Sequence, residues 1–220
     1  MAVQHDVFIA GERMVAFAEK ALFWPAASTL FVADIHLGKD SAMLASGIPI
    51  PFGATSETLC RLSRVLESSG AEKLVLLGDL WHAKAGRTDR FYGDFLAWRR
   101  FHCQVAIVLI EGNHDAKSGP LSSEANVTQV TEPYPMTPFA LCHIPQSNKD
   151  GYVLSGHVHP GVVMEGYGRQ AIKLPCFWFG RKMAVLPAFG EFTGCAKVSP
   201  VDGDQVLVIA DGHVYPAPFS

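Results

Sequence analysis

The chain has 220 residues, of which 49% are hydrophobic and 18% are charged, and its formal net charge is −3. A composition this rich in apolar residues excludes an intrinsically disordered chain. The length predicts one domain, residues 1–220, that buries most of the surface its unfolded chain would expose.

Composition also bears on location and partners. Residues 1–14 contain charged side chains and no long apolar core, so we expect no signal peptide. The charge-free stretch 21–33 is shorter than the ~20 residues that span a bilayer, which predicts no membrane association. The five cysteines are scattered without a CxxC pair, as is typical of reduced thiols in a cytoplasmic protein. The small negative charge does not exclude a nucleic-acid substrate, because bound divalent cations would offset it.

The chain begins with a predicted hairpin, a strand and a helix. Alternation around Gly11 predicts the hairpin over 7–18, and an apolar run predicts a buried strand over 29–33. Apolar residues at helical spacing predict a helix over 56–68, and Gly70 follows as its stop signal. The residues that define the apolar face of this helix are Leu59, Leu62, Val65 and Leu66.

Three further elements complete the first half. A short apolar strand is predicted over 73–77, an amphipathic helix over 89–102 and a strand over 104–110. The aromatic residues on one side of the helix are Phe91, Phe95, Trp98 and Phe101. Strands that alternate with helices in this way are typical of βαβ units and a parallel sheet.

The second half is rich in strands. The segment 117–137 contains many Ser, Thr and Pro residues and is predicted to be an exposed loop. Short strands separated by Gly or Pro are predicted over 139–142, 152–154, 176–179, 183–186, 206–209 and 213–215. A βαβ-rich half followed by a strand-rich half predicts an α/β fold of two packed sheets with helices on the outer faces.

Polar motifs follow several of these apolar runs. In chain order they are Asp34-Ile35-His36, Gly78-Asp79, Gly112-Asn113-His114-Asp115, His143 and Gly156-His157-Val158-His159. In an extended chain, residues two apart point to the same side, so Asp34 and His36 can face one point while Ile35 enters the core. Carboxylates, an amide oxygen and imidazoles at several strand ends are the ligands that a two-metal hydrolase requires.

Four other histidines and one cysteine have packing or capping alternatives to a role in the site. His82 follows Gly78-Asp79 closely and is a candidate for the site, although it could simply cap a turn. His5, His102 and His213 lie outside the motifs and are interpreted as surface or packing residues. Cys142 precedes His143 and should face the other side of its strand, in the core.

Basic and aromatic residues near the motifs leave alternatives open. Lys39, Lys84, Arg87 and Arg181 could contact phosphates of a substrate, or could be ordinary solvated residues. The aromatic run Phe177-Trp178-Phe179 could stack on bases, but apolar packing of a strand explains it better.

The ordered set of motifs from Asp34 to His159 resembles the calcineurin-like metallophosphoesterase superfamily. The resemblance implies a four-layer αββα sandwich of two packed mixed sheets flanked by helices. It also implies two divalent metal ions. Asp34, His36 and His159 would hold one ion, Asn113, His143 and His157 would hold the other, and Asp79 would bridge them.

The same resemblance implies catalytic residues. His114 would contact a phosphate oxygen, with Asp115 orienting its ring. The run Gly78-Asp79-Leu80-Trp81-His82 is similar to a motif of the repair-complex nucleases in this superfamily, in which a second histidine touches the scissile phosphate.

The flanking residues are similar to one branch, the ligase-associated DNA damage response endonucleases. The segments that carry this likeness are Leu37-Gly38-Lys39, Gly47-Ile48-Pro49, His82-Ala83-Lys84, Gly86-Arg87, the stretch 174–180 and the stretch 186–190. The likeness implies a bacterial, manganese-dependent phosphodiesterase that cuts DNA, most naturally single-stranded DNA, in DNA repair. It also implies a functional association with a DNA ligase and a helicase.

Two alternatives remain open from the sequence. The same fold could carry a phosphodiesterase or phosphatase for small molecules such as nucleotides. It could also serve as a non-catalytic scaffold, although the full ligand set and the intact His114 weigh against this.

Overall fold

A computed structural model of the chain describes residues 3–45, 47, 53–165 and 171–217. Ile48 and Pro49, which belong to one of the flanking segments named above, lie outside these residues. The described strands are β1 (Gln4–Ile9), β2 (Glu12–Phe17), β3 (Ala21–Trp24), β4 (Thr29–Val32), β5 (Lys73–Leu77), β6 (Ala106–Ile110), β7 (Val127–Val130), β8 (Tyr134–Met136), β9 (Phe139–Leu141), β10 (Tyr152–Ser155), β11 (Pro160–Glu165), β12 (Ala171–Phe179), β13 (Met183–Val185), β14 (Ala196–Lys197), β15 (Gln205–Ala210) and β16 (His213–Pro216). The described helices are α1 (Lys39–Ala45), α2 (Ala54–Ser69), α3 (Asp89–Phe101) and α4 (Asp115–Ser118).

The first sheet contains seven strands in the order β1-β2-β3-β4-β5-β6-β7. Its first half is antiparallel and begins with the predicted hairpin, whose turn places Ala10 and Gly11 at φ values of 51° and 83°. Two left-handed residues are what a two-residue turn needs to match the twist of the strands. Strands β4 to β7 are parallel, with α2 crossing from β4 to β5 and α3 from β5 to β6.

The second sheet contains nine strands. Its path runs β14-β11-β12-β13-β10-β9-β8, and β15 with its partner β16 joins at β12. Parallel pairing links β10 to both β9 and β13, so these three strands end at the same edge. The remaining pairs among β11, β12, β13, β15 and β16 are antiparallel.

The two sheets pack face to face through alternate residues. Phe31 and Leu77 of the first sheet share one buried apolar cluster with Leu154, Phe177 and Leu207 of the second. Residues on the opposite face of the first sheet pack against α2 and α3. The predicted α/β sandwich of two packed mixed sheets is confirmed.

The long helices α2 and α3 lie on the first sheet. The two clusters on the outer face of the second sheet contain only strand and loop residues, such as Val162, Cys176 and Val198 in one and Ala140 and Cys142 in the other. Most neighbours in this sheet are antiparallel and joined by short turns, which need no crossover helix. The sequence analysis expected helices on the outer faces of both sheets. Among the described residues, the long helices cover the outer face of the first sheet alone.

The aromatic face of α3 differs from its prediction at one residue. Phe95 and Trp98 are buried, but Phe101 is 73% exposed. His102 takes the buried position instead and contacts the ring of Trp98. A helix advances 100° per residue, which places residue 102 nearer than residue 101 to the line through Phe91, Phe95 and Trp98.

No described helix is long and apolar enough to cross a membrane.

The segment 117–137 was predicted as a loop, and this prediction is wrong in part. It contains β7, which extends the parallel sheet beside β6, and β8, which pairs with β9. The hydrophobic pattern did not predict these two short strands because Ser and Pro residues interrupt it. The strands β3, β11 and β14 and the short helix α1 were also not predicted.

Candidate metal centre

The polar motifs meet because their strands end at one edge of the sandwich. Asp34 follows β4, Asp79 follows β5 and Asn113 follows β6, all parallel strands of the first sheet. His143 and His157 follow the parallel strands β9 and β10 of the second sheet. Parallel strands deliver the residues after their carboxyl ends to the same side, where α/β proteins build their sites.

The first group of candidate ligands consists of Asp34, His36 and His159. The Nε2 atoms of His36 and His159 are 3.4 Å apart, and the Nε2 atom of His159 lies 3.5 Å from Oδ1 of Asp34. Asp34 is fully buried. One ion could therefore be reached by all three side chains.

The second group consists of Asp79, His143 and His157. The Nε2 atom of His143 lies 3.5 Å from Oδ1 of Asp79, 3.1 Å from Nδ1 of His157 and 3.0 Å from Oδ1 of Asn113. Asn113 thus joins this group as the sequence predicted.

The two groups touch each other. The backbone N–H of His157 donates to Oδ2 of Asp34 at 2.8 Å, and Oδ1 of Asp34 lies 3.9 Å from Nδ1 of His143. His143 donates from Nδ1 to the carbonyl oxygen of Leu77 at 3.0 Å, which directs its Nε2 atom toward Asp79 and Asn113. All seven predicted metal ligands are therefore brought to one place.

The donor set fits two divalent cations. The buried Oδ1 atom of Asp34 has no hydrogen-bond partner among the described residues, although two histidine rings lie within 4 Å of it. A buried carboxylate oxygen without a donor is costly unless a cation compensates it. Burial, with Lys39 nearby, lowers the pKa of His36 to about 2, so this ring is in the neutral form that binds metals.

The backbone of the ligand residues is left-handed. Five of the seven have positive φ: Asp34 (53°), His36 (52°), Asp79 (52°), His157 (67°) and His159 (52°). The backbone at Asp34 and His36 is therefore not extended, although both side chains face one ligand group and Ile35 is buried in the core, as expected. Left-handed residues are uncommon outside glycine, cost of order 1 kcal/mol each and concentrate at functional sites.

Two glycines permit the close packing of these ligands. A β-carbon added at Gly78 would overlap the ring of His143, and one added at Gly112 would overlap the carboxylate of Asp79. Gly78 also has a φ of 81°. Both positions exclude a side chain because a candidate metal ligand occupies the space.

His114 stands at the mouth of the site with its side chain 35% exposed. Its Nδ1 atom donates to the carbonyl oxygen of His82, and its Nε2 atom lies 3.9 Å from Oδ2 of Asp79. The interpretation of Asp115 as the group that orients this ring is wrong. Asp115 instead accepts from the backbone N–H groups of Trp81 at 3.2 Å and Gly112 at 3.1 Å, and burial raises its pKa to about 6.

Comparison with known proteins shows the family to which this chain belongs. The chain is similar to the nuclease MPE of Pseudomonas putida, with 36% identity over 97% of this chain and 100% of that one and a TM-score of 0.86. This chain belongs to the same metallophosphoesterase family. A YfcE phosphoesterase from E. coli also matches, at 16% identity over 83% of this chain and 88% of that one, with a TM-score of 0.34. No family model and no curated protein matches.

The family membership, together with the two ligand groups, makes this metallophosphoesterase a metal-dependent hydrolase.

His82 lies at the same site. Its ring stacks on that of His114 with the ring centroids 5.4 Å apart, and its centroid lies 5.4 Å from that of His36. Burial and the nearby charge of Lys39 lower the pKa of His82. Lys39, the first residue of α1, is half-buried beside the same histidines.

The other basic candidates are placed elsewhere or have internal partners. Arg87 donates to the carbonyl oxygens of Ser118, Gly119 and Pro120 and covers the ring of Tyr92, so it holds the chain after α4. Arg181 lines a cavity of about 750 Å³ near Tyr152, at the end of β10 opposite the metal ligands. Lys84 is exposed in a short turn after His82.

The packing interpretations of the run Phe177-Trp178-Phe179, of His102 and of Cys142 are confirmed. Phe177 and Phe179 are buried between the sheets, and Trp178 donates from its indole nitrogen to Asp204 at 2.8 Å. His102 is buried and contacts the hydroxyl of Ser63. Cys142 is buried in a cluster away from the ligands.

Replacing Gly78 by alanine should damage the metal centre of this metallophosphoesterase. Gly11→Ala is the matched control, because Gly11 has a φ of 83° and nothing within 4 Å of an added β-carbon. The control should lose roughly 1–2 kcal/mol from backbone strain alone. Gly78→Ala should lose roughly 1–3 kcal/mol more from the overlap with His143 and should bind Mn²⁺ at least about tenfold more weakly.

Thermal unfolding and titration calorimetry with Mn²⁺ measure the two effects. Equal behaviour of Gly78→Ala and Gly11→Ala would contradict the account of Gly78 as a glycine required by a ligand ring.

Proposed function

We propose that this chain is a manganese-dependent phosphodiesterase that cuts single-stranded DNA internally and acts in bacterial DNA repair. The observation that supports it most is the pair of adjacent ligand groups at one edge of the sandwich, in a chain that is 36% identical to a nuclease over 97% of its length. We also propose that residues 1–220 form one functional domain.

Seven residues would hold the metal ions. Asp34, His36 and His159 would hold the first ion, Asn113, His143 and His157 would hold the second, and Asp79 would be shared by both. Asp79 suits a bridge because its two carboxylate oxygens face different neighbours, with Oδ1 near His143 and Oδ2 near His114. Oxygen and imidazole ligands accept manganese, which is the metal that we assign.

Two bound divalent ions would lower the pKa of a water molecule and offset the charge of a phosphodiester. His114 would contact a phosphate oxygen. Its orientation supports this role, because its Nδ1–H donates to the carbonyl oxygen of His82 and its Nε2 atom lies 3.9 Å from Oδ2 of Asp79. His82, stacked on His114, can reach the same substrate. Asp115 supports both indirectly, through the backbone of Trp81 and Gly112.

The charge of the chain favours a single-stranded substrate. A duplex is bound largely through many Lys and Arg contacts to its phosphates, and this chain has 18 Lys and Arg against 21 Asp and Glu. A flexible strand can bend so that one phosphate reaches the recessed ligands. We place the enzyme in the cytoplasm and in functional association with a DNA ligase and a helicase.

The substrate can be tested with circular DNA and added Mn²⁺. The wild type should cut a single-stranded circle and cut a relaxed duplex circle at most weakly, and excess chelator should abolish the activity. Asp79→Ala should be inactive, because both ions lose a shared ligand. Asp202→Ala, a change of an exposed carboxylate, is the matched control and should stay active.

Cleavage of small nucleotide phosphodiesters without cleavage of the circle would favour the small-molecule enzyme instead. An active Asp79→Ala protein would contradict the two-metal proposal itself.

Two histidine variants should separate catalysis from metal binding. His114→Ala should keep its metal ions but lose roughly 10²-fold or more in rate, as expected on removal of a proton donor or charge-stabilising group. His157→Ala should lose metal occupancy. Elemental analysis of both purified proteins decides the matter, and a metal-depleted His114→Ala protein would show that His114 is wrongly assigned.

A further inference from the structure

A loop beside the first ligand group is fixed at both ends to ligand residues. At its start, the backbone N–H of Gly190 donates to the carbonyl oxygen of Asp34 at 3.0 Å. At its end, the N–H of Ala196 donates to the carbonyl oxygen of His159 at 2.9 Å. We call residues 190–196 the bridging loop. Both ends of this loop are therefore fixed to the backbone of the first ligand group.

Phe192 is the exposed aromatic residue of the bridging loop. Its side chain is 47% exposed, and its φ of 55° is left-handed. A bulky residue rarely adopts this conformation, and such strain persists where function requires it. The turn that imposes it is closed by the hydroxyl of Thr193, which donates to the carbonyl oxygen of Gly190 at 2.9 Å. The ring of Phe192 contacts no other aromatic ring in the described part of the chain.

A cavity of about 220 Å³ lies against the same loop. Its lining residues include Phe192, Cys195, Lys20 and Lys173. Lys173 donates to the carbonyl oxygen of Cys195 at 3.0 Å. Lys20 forms no ion pair or side-chain hydrogen bond with any described residue, and burial, with Arg61 nearby, lowers its pKa to about 8.

The acidic residue of this cavity is already neutralised. Glu191 contacts the guanidinium group of Arg61, which also donates to the carbonyl oxygen of Phe189. The cavity therefore combines an exposed aromatic face with two ammonium groups whose charge no cavity carboxylate cancels. An aromatic face beside cationic groups is the combination that single-stranded nucleic acid requires.

We propose that the bridging loop forms a subsite for the nucleotide next to the scissile phosphate, with Phe192 stacking on its base and Lys20 and Lys173 facing its phosphate. This inference rests on the proposed cleavage of single-stranded DNA. Stacking on a base is tolerant of sequence, since every base offers a ring face. The subsite would therefore confer preference for a polynucleotide over a small phosphodiester.

The test uses Phe192→Gly, because glycine accepts the left-handed backbone and removes only the ring. The measured quantity is kcat/KM for a single-stranded oligonucleotide divided by kcat/KM for a small aryl phosphodiester. This ratio should fall about tenfold in Phe192→Gly, in the range that loss of one base–aromatic stack produces, and Phe192→Tyr should retain it. Phe101→Ala, which removes an exposed ring far along the chain from the loop, is the matched control and should not change the ratio.

A second readout does not depend on turnover. An oligonucleotide that carries 5-iodouracil should form a photo-crosslink that maps to Phe192 in the wild type. An unchanged ratio in Phe192→Gly, or a crosslink that maps outside residues 190–196, would overturn the subsite. If the wild type fails to cut single-stranded DNA, the proposed function fails, and the crosslink still decides whether the loop binds a base.

Discussion

The buried carboxylate of Asp34 joins the two sheets at the functional edge. It follows β4 of the first sheet and accepts a hydrogen bond at 2.8 Å from the backbone of His157, which follows β10 of the second. A fully buried charge is stable only if opposite charge or donors surround it. Its second oxygen has no partner among the described residues and faces two histidine rings, which is the arrangement that a bound cation completes.

The metal centre is built from strained backbone held by a rigid core. Three of the left-handed ligand residues, Asp34, Asp79 and His157, lie two residues after strands whose side chains pack into the buried apolar clusters. The bridging loop extends the same principle, since it is anchored to Asp34 and His159 and holds Phe192 in a left-handed conformation. Strain of this kind is offset by the packing of the sandwich, and it fixes ligand positions before any ion arrives.

The sequence predicted the ligand set better than the surroundings of the ligands. The resemblance of the ordered motifs to the metallophosphoesterases implied which residues form the ligand set, and the shared polarity of the parallel strands explains why those residues lie together. The contact of His114 with the carbonyl of His82, in place of Asp115, depends on a backbone oxygen that carries no side-chain signature. Likewise, nothing in the sequence marked Phe192, because its importance comes from a backbone angle and from two tertiary hydrogen bonds of its loop.

The central claim is that one edge of the sandwich holds two divalent ions. Anomalous diffraction from crystals of the wild-type chain grown with Mn²⁺ tests it directly. We expect two anomalous peaks, one between Asp34, His36 and His159 and the other between Asp79, His143 and His157. A single peak, or peaks outside both groups, would contradict the account.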